Sequence, residues 1–428
     1  MYPARPPART AARTINQFFF LIFCKFFVFV NKITQIICQI FCTFVFQKLK
    51  KLKMNFTVSS TELLRGLLSG LRVISNKTTT PILDNFLFVL KGNSLEVTAS
   101  DSETTLRTVI SVDEVAEEGA AAVPAKILTD SLKEFPDMPI EFKTLEDNNT
   151  LQISWATGAQ KIPFFPADYY PELPVLDALA VTVTVPAETL SAGLGYTLYA
   201  TADEVLRPVM NGVLFDLTPE ATSLVASDSH KLVCYTRIDI RSEQKSSFIL
   251  PKKPAAILRS LLSKSDSDVK VTFDGKNAHF DFDGCLLVGR LVDGTYPAYR
   301  TVIPKNNQNK MFISRTTLLN AAKRVSVCSN QATSSMKFSL SFNTLVISAQ
   351  DTGFSISAHE TLPCQYDGEP MDIGFKSTFL IEILSNLPYE EVCFELADPA
   401  RAALIVAAED HNPDEDICSL LMPIRIPN

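Results

Sequence analysis

Three related segments, spaced at domain length, constrain the fold of this chain more than any other feature of its sequence. The middle copy, Asn211–Ile238, has apolar residues at alternate positions on either side of a turn, and it ends in a third apolar run. Similar segments occur at Asn85–Ile110 and at Met336–Leu362. Such alternation is typical of half-buried antiparallel strands. The spacing is long enough for an independently cored domain, so the sequence predicts three copies of one domain.

Each copy is flanked by two leucine-rich stretches with helical spacing, and each stretch follows a short predicted strand. The predicted strand–helix segments are Phe56–Val73, Val181–Leu198 and Met311–Val325 before the copies, and Val123–Phe135, Phe248–Leu262 and Ile373–Leu387 after them. Strands and helices in this arrangement predict an α+β fold with three tandem similar domains. We place these domains at residues 54–178, 179–305 and 306–428.

Residues 1–53 differ in composition from the rest of the chain. Ten phenylalanines and three cysteines lie within Phe18–Phe46, and no acidic residue occurs before Met54. A membrane-spanning helix needs about 20 mostly apolar residues, whereas Lys25 and Lys32 interrupt this run. A signal peptide is the second interpretation, and a translation start at Met54 is the third. We favour the third, so residues 1–53 are expected to lie outside the fold, and a chain that starts at Met54 is expected to melt like the full chain.

The cysteines and histidines predict no metal site, no cofactor and no disulfide framework. The nine cysteines show no CxxC pattern and no spacing to the four histidines that suits a zinc site. Scattered thiols of this kind are typical of a reducing compartment, which favours a cytoplasmic protein with no membrane segment.

The charges are sorted between helices and the remainder of the chain. Residues 54–428 contain 31 basic and 47 acidic side chains, a formal charge of −16. The predicted helices nevertheless carry basic residues on their polar faces, in pairs seven residues apart. These pairs are Arg65 with Arg72, Lys126 with Lys133, and Lys252 with Arg259. Cationic helices on an anionic protein indicate a surface that faces phosphates.

No motif indicates catalysis. Asp228-Ser229-His230 contains the residue types of a hydrolase triad, but Asp101 and Asp351 occupy the same bend in the other copies and favour turns. Asp281-Phe282-Asp283-Gly284 predicts a hairpin turn rather than a calcium loop. His230 and Lys231 have no counterpart in the other copies, which makes them candidates for function.

Five spaced motifs identify a family. The chain from Met54 to Ile426 resembles the β subunits of bacterial DNA polymerase III, the DNA sliding clamps. The motifs that carry the resemblance are Thr80-Pro81-Ile82-Leu83-Asp84-Asn85, Val123-Pro124-Ala125-Lys126, Asp228-Ser229-His230-Lys231-Leu232, Leu291-Val292-Asp293-Gly294-Thr295-Tyr296-Pro297 and Met422-Pro423-Ile424-Arg425.

The resemblance implies a fold, partners and a non-catalytic function. Two protomers of such a clamp close head-to-tail into a ring, with helices lining a central hole and antiparallel sheets outside. The ring would encircle duplex DNA without sequence preference and confer processivity on the polymerase. Short peptides of the polymerase catalytic subunit, the clamp loader and other replication and repair proteins would bind a cleft between the second and third domains.

The resemblance also assigns residues to these roles. It adds Lys77 and Lys253 to the DNA-binding residues Arg65, Arg72, Lys126, Lys133, Lys252 and Arg259. The peptide cleft would use Met210, Ser227, Ser229, His230, Lys231, Leu232, Pro297, Val302, Leu420, Met422, Pro423, Ile424 and Arg425. The dimer contact would include Ile162 on one protomer and Val327 and Cys328 on the other.

This sequence departs from the family pattern at a few positions, and two other function classes compete with the clamp. Ser229 and Lys231 replace a glycine and an arginine, and two further residues follow Ile426, which leaves the peptide preference open. A structural repeat protein at the cell envelope would suit the apolar N-terminal run. A hydrolase that uses His230 is the enzymatic alternative.

Overall fold

The structure of the chain, a computed structural model, describes residues 53–74, 80–145, 149–204, 206–408 and 412–426. Six α-helices lie within these residues, and each directly follows a strand, as the sequence predicts. They are α1 (Ser60–Leu71), α2 (Ala125–Lys133), α3 (Ala187–Thr197), α4 (Lys252–Leu262), α5 (Arg315–Ser326) and α6 (Ser377–Asn386). None of the described helices is long and apolar enough to cross a membrane. The predictions for residues 1–52 and for Lys77 fall outside the described residues.

The strands of the first two predicted domains are short and antiparallel. They are β1 (Asn55–Ser59), β2 (Asn85–Lys91), β3 (Ser94–Ser100), β4 (Thr104–Ser111), β5 (Glu114–Glu117), β6 (Gly119–Pro124), β7 (Pro139–Leu145), β8 (Thr150–Trp155), β9 (Gly158–Pro163), β10 (Phe165–Pro166), β11 (Val181–Pro186), β12 (Gly212–Leu217), β13 (Thr222–Ser227), β14 (Lys231–Arg237), β15 (Ser246–Pro251), β16 (Asp268–Phe273), β17 (Asn277–Phe282) and β18 (Cys285–Arg290).

The third predicted domain has the same kind of strands. They are β19 (Asn309–Ser314), β20 (Ser335–Ser341), β21 (Thr344–Asp351), β22 (Ile356–Pro363), β23 (Gln365–Tyr366), β24 (Met371–Lys376), β25 (Glu391–Leu396), β26 (Ala403–Ala407) and β27 (Glu415–Leu421). The predicted hairpin turn at residues 281–284 joins β17 to β18. Asp283 and Gly284 both have positive φ there, 47° and 70°, as a two-residue hairpin loop requires.

Helix starts follow from local chemistry. The Ser59 hydroxyl accepts a hydrogen bond from the Glu62 amide at 3.4 Å, and the Ser314 hydroxyl accepts one from the Thr317 amide at 3.4 Å. These side chains satisfy amides that a helix leaves unpaired in its first turn. Leu63 of α1 is fully buried, so the apolar stripe faces the core. The polar face, with its basic residues, is left on the outside.

The chain forms two compact units. The first contains the described residues up to Leu64, together with Leu87–Glu96 and Ile110–Tyr170. Its five-stranded sheet has the order β5-β1-β7-β8-β9. Phe56 of β1 stacks on Phe142 of β7 with ring centroids 5.1 Å apart, which fixes the centre of this sheet.

The second unit contains Arg65–Phe86, Val97–Val109 and the chain from Pro171 onward. It includes a nine-stranded sheet with the order β15-β12-β13-β14-β27-β26-β25-β19-β23 and a four-stranded sheet with the order β22-β21-β20-β24. In addition, β18 pairs with β17 on one side and with residues 104–108 of β4 on the other.

The pairing of β14 with β27 explains why two units form where the repeat predicts three domains. The two strands pair over seven residues, from Lys231 opposite Leu421 to Arg237 opposite Glu415. This ladder joins the second and third predicted domains in one continuous sheet, so the predicted boundary at residues 305 and 306 does not separate compact units. The boundaries at 178/179 and 305/306 remain predictions about the repeat.

Candidate functional site

The turn at residues 228–231 is held by its own aspartate. One carboxylate oxygen of Asp228 accepts the amides of His230 and Lys231, each at 2.9 Å, while Ser229 adopts a φ of 77°. Asp101 makes the same turn in the first copy by accepting the amides of Glu103 and Thr104 at 3.0 and 2.7 Å. These bonds confirm that the aspartates shape turns.

The three residues of this turn do not assemble a catalytic triad. The Ser229 hydroxyl accepts a hydrogen bond from Arg207 at 2.5 Å and lies 3.4 Å from the Met210 sulfur. The His230 Nδ1 atom lies 3.4 Å from the main-chain oxygen of Asp228. Serine and histidine therefore have other partners, and within the part of the chain that the structure describes no base is hydrogen-bonded to this hydroxyl.

Thiol chemistry is equally unfavourable in this region. Cys234 and Cys418 lie opposite each other on β14 and β27. Burial raises the pKa of Cys234 to about 11 and also raises the pKa of Cys418. Both thiols therefore stay protonated near neutral pH and are poor nucleophiles.

The same turn lies next to the C-terminal segment, and we refer to the surface formed by these two segments, the predicted peptide cleft, as the groove. Leu232 on β14 is opposite Leu420 on β27, and the Met422 amide donates to the His230 carbonyl at 2.8 Å. Leu232 and Leu420 are buried in one apolar cluster that also contains Tyr299. Two segments that lie far apart in sequence are thereby joined, and their apolar side chains form the floor of the groove.

Other apolar side chains assigned to the cleft remain open to solvent. Met422 is 41% exposed and Val302 is 57% exposed, while Pro297 is exposed and Met210 is half-buried. Exposed apolar surface beside a buried cluster is suited to binding the apolar side chains of a partner. Methionine is also adaptable in shape, which suits more than one partner.

The C-terminal segment is held in place by a second strand. The Ile424 amide donates to the Gly374 carbonyl of β24 at 2.8 Å. A β-carbon at position 374 would lie 2.7 Å from the Ile426 Cγ1 atom, so glycine permits this close approach. Pro423, Ile424 and the exposed Arg425 consequently have a defined path along the groove.

Lys231 differs from its predicted role at the polar end of a bound peptide. Its Nζ atom lies 2.8 Å from Glu382 Oε2 and 3.0 Å from Asp228 Oδ2, and its side chain is only 5% exposed. The ammonium is thus engaged within the chain, because a buried charge requires partners. It fastens the turn to helix α6, so we now assign it a positioning role. Ser227 is also buried, with its hydroxyl donating to the Lys231 carbonyl at 2.8 Å.

Phe379 of α6 packs against the turn at His230 and Lys231, although the sequence did not identify it as a site residue. The Phe379 ring lies 4.3 Å from the Lys231 Nζ atom and 4.5 Å from the Lys376 Nζ atom, and its centroid is 5.8 Å from that of His230. A half-buried phenylalanine between two cations is stabilised by cation–π attraction. The sequence gives only a weak signal for this position. Phe379 lies next to the buried apolar face of α6, which starts at Leu380, and not on that face.

The cations predicted to bind DNA fall into two groups. Arg65, Lys126, Lys133 and Arg259 are exposed on the helices. Lys133 pairs with Asp130 at 2.9 Å, and Lys252 pairs with Asp203 at 2.7 Å. The side chains of Lys126 and Arg259 make neither a hydrogen bond nor an ion pair with any residue that the structure describes. Their charges are therefore the most available for a phosphate.

Arg72 and Lys253 serve contacts inside the second unit. Helix α1 ends at Leu71, so Arg72 lies beyond it and not on a shared helical face with Arg65, and it donates to the Ser260 hydroxyl. Lys253 donates to the Val73 carbonyl at 2.6 Å and to the Asp101 carboxylate. Both residues were predicted to contact DNA, but the structure uses their hydrogen-bonding groups internally.

Comparison with known proteins decides the family. The chain matches the DNA polymerase III beta subunit in three consecutive parts: the N-terminal domain over residues 54–174, the central domain over 184–298 and the C-terminal domain over 300–425. The chain belongs to this family. The three parts follow one another in the order of the three predicted domains, and the resemblance found in the sequence is confirmed.

Individual relatives extend over the whole matched region. The Beta sliding clamps of Haemophilus influenzae and Proteus mirabilis are 28% and 29% identical over 374 and 375 residues, which is 87% of this chain and all of each relative. A Pseudomonas aeruginosa sliding clamp bound to griselimycin has a TM-score of 0.83 at 26% identity, again over 87% of this chain and all of that one. The Thermotoga maritima beta subunit gives a TM-score of 0.79 at 26% identity, with the same coverage.

Family membership settles the fold class and the kind of function. The chain has three tandem clamp domains built of helices and antiparallel sheets, as predicted. Sliding clamps are non-catalytic processivity factors of DNA polymerase III. The alternatives of a hydrolase that uses His230 and of a structural envelope protein are therefore wrong.

The three residues predicted for the clamp dimer contact differ in accessibility. Val327 follows α5 and is 78% exposed, and Cys328 is half-buried. Ile162 is only 4% exposed, because its side chain faces the core of its own unit. It lies on β9, which ends the five-stranded sheet of the described residues. The exposed backbone of β9, rather than the Ile162 side chain, is thus the feature available for a contact.

Proposed function

We propose that two copies of this chain close head-to-tail into a ring that encircles duplex DNA and holds the replicative polymerase on it. The polymerase catalytic subunit, the clamp loader and other replication and repair proteins would dock short peptides in the groove. The observation that carries the peptide-binding part is the buried pair Leu232 and Leu420, in an apolar cluster against which Ile303 packs, with Val302 and Met422 exposed close by in sequence. Replacing Met422 with aspartate should therefore abolish peptide binding.

DNA binding in this proposal depends on phosphates and not on bases. The helices carry lysines and arginines on an otherwise acidic protein. Such cations bind the phosphates of the DNA backbone and do not recognise the base sequence. The DNA would lie in a central hole lined by these helices, with the sheets outside. The free cations Lys126 and Arg259 are its first expected contacts.

Reversing both charges, in Lys126→Glu with Arg259→Glu, should weaken duplex binding equally for all sequences. Each lost phosphate contact should flatten the slope of log Kobs against log salt by about 0.9, so the pair should lower it by about 1.8. Fluorescence anisotropy across a salt series measures this slope. Lys270→Glu is the matched control, since Lys270 is exposed on β16. An unchanged slope in the double variant, or a control that changes as much, would contradict this assignment.

Ring closure requires a contact between protomers. In the described residues β9 and β22 end their sheets, and unpaired strand edges favour pairing with another chain. Phe354 and Ile356 are exposed apolar residues at the start of β22, and Val327 is an exposed apolar residue directly after α5. Two such contacts related by a twofold axis would close the ring.

We expect Val327→Asp to convert the dimer into monomers, because a carboxylate would be buried against an apolar partner surface. Analytical ultracentrifugation at micromolar concentration measures the change in mass. Phe342→Asp is the control, because Phe342 is an exposed apolar residue at the β20–β21 turn. A Val327→Asp protein that sediments as the wild type does would remove this residue from the interface.

The ring would act in the cytoplasm, where bacterial DNA is replicated. The six cysteines of the described residues are free thiols, which suits a reducing compartment. Cell fractionation tests this placement, and recovery of the protein in the membrane or exported fraction would contradict it.

A further inference from the structure

A second groove adjoins the proposed peptide cleft and has a different chemistry. It encloses about 640 Å³ and is lined by residues 300–306 together with Arg401. Its charged side chains are Arg300, Lys305 and Arg401, and none of the described residues that line it is acidic. We call this feature the linker groove, because residues 300–306 join the second and third predicted domains.

The linker groove and the cleft share a wall. Val302, which is assigned to the cleft, also lines the linker groove. The next residue, Ile303, packs against the apolar cluster that contains Leu232 and Leu420. The apolar side chains of a bound peptide motif would occupy the cleft. The residues that flank the motif would therefore lie next to the linker groove.

The floor of the linker groove is fixed. The Asn307 side chain donates to the main-chain oxygens of Glu395 and Ala402 at 2.9 and 3.0 Å. These bonds fasten the linker to the chain beside Arg401. The cations thus project from backbone held in place, which reduces the entropy lost when a ligand binds.

The three cations differ in how closely they are paired with other side chains of this protein. The Arg300 guanidinium donates to Asp216 at 3.0 Å and to the Tyr299 hydroxyl at 2.9 Å. Arg401 lies 3.6 Å from the exposed Asp398, a weak pair. Lys305 is exposed and has no hydrogen-bond or ion-pair partner among residues 53–74, 80–145, 149–204, 206–408 and 412–426. Lys305 and Arg401 are the charges most available to a ligand.

We propose that the linker groove binds acidic residues that flank the cleft-binding motif of a partner peptide. Residues 54–428 carry a formal charge of −16, so an acidic segment would be repelled by most of this protein's surface. Three cations line the groove, whereas only two acids, Asp216 and Asp398, pair with them, and this local excess of positive charge reverses that repulsion at one place. The occupant is a peptide rather than DNA, since the groove continues an apolar cleft through Val302. This inference rests on the proposed peptide-binding function of the cleft.

The test compares three peptides on the full-length protein by fluorescence anisotropy. The first is Gln-Leu-Ser-Leu-Phe alone. The second adds three glutamates to this motif, and the third adds three glutamines at the same end. Each addition is tested at the N-terminal and at the C-terminal end of the motif. The glutamate peptide should bind about three- to tenfold more tightly than the glutamine peptide, since each exposed ion pair contributes modestly. The gain should fall as salt is raised, because exposed charges are screened.

Charge reversal at Lys305→Glu with Arg401→Glu should remove the gain and leave binding of the core peptide unchanged within about twofold. Lys270→Glu, a single charge reversal on β16, should keep the gain. Equal affinity for the glutamate and glutamine peptides, or a gain that survives the double variant, would overturn the inference while the cleft stands. Weaker duplex binding by the double variant with an unchanged peptide gain would assign the groove to DNA instead. If the core peptide itself fails to bind, the cleft is misplaced, and this inference falls with it.

Discussion

Replacing Met422 with aspartate should abolish binding of a short Gln-Leu-x-Leu-Phe peptide while the chain stays folded. Met422 is 41% exposed at the rim of the groove, and its amide is bonded to the His230 carbonyl. The substitution keeps that main-chain bond but places a carboxylate where the peptide would bury an apolar side chain. We expect the affinity to fall by at least about 30-fold, which corresponds to ~2 kcal/mol.

Fluorescence anisotropy measures the affinity, and thermal melting and sedimentation check that the fold and the dimer persist. Phe342→Asp supplies the matched control, because it makes the same kind of change at an exposed site outside the groove. If Met422→Asp unfolds the chain, Met422 is a core residue. If the variant binds the peptide at full affinity, the groove is wrongly placed.

The point substitution is a sharper test than removal of residues 422–428. The C-terminal segment pairs with β24 through Ile424 and Gly374, so its removal would expose buried backbone as well as the groove. Such a deletion is therefore expected to lower stability as well as peptide affinity.

Elements that depend on local signals were predictable. The six helices and the strands before them follow from apolar periodicity, and the turn at Asp228 follows from the capacity of aspartate to accept nearby amides. The hairpin at Asp283 and Gly284 required only a turn signal between two alternating runs.

Features that depend on long-range contacts were not predictable from the pattern. Lys253 bonds to Asp101, 152 residues away, and Lys231 bonds to Glu382, 151 residues away. Helical spacing predicts that a lysine faces outward, but it does not show which carboxylate lies opposite. Two of the predicted ligand-binding cations are thereby engaged in internal contacts.

The sheet shared by the second and third predicted domains was not predictable, for a related reason. Alternation shows which residues of a strand are buried, whereas the choice of neighbouring strand depends on which sheet edges meet in space. The β14–β27 ladder therefore could not be predicted from either strand. The family resemblance placed His230 and Met422 at one cleft, and the ladder supplies the physical reason for their proximity.

The proposed ring would be retained on DNA by its topology, unlike a DNA-binding protein that is retained only by its contacts. A closed ring is held by the continuity of the DNA and slides freely along it, because its phosphate contacts are sequence-independent. Its release should then depend on a free DNA end and not on the strength of any one contact.

The measurement that tests this most directly follows protein loaded on a nicked circular duplex through gel filtration, before and after one restriction cut. We expect the protein to elute with the circle and to separate from the DNA once the circle is linear, at the same salt concentration. Equal retention on the circular and the linear duplex, or equal loss from both, would contradict encirclement and with it the central claim.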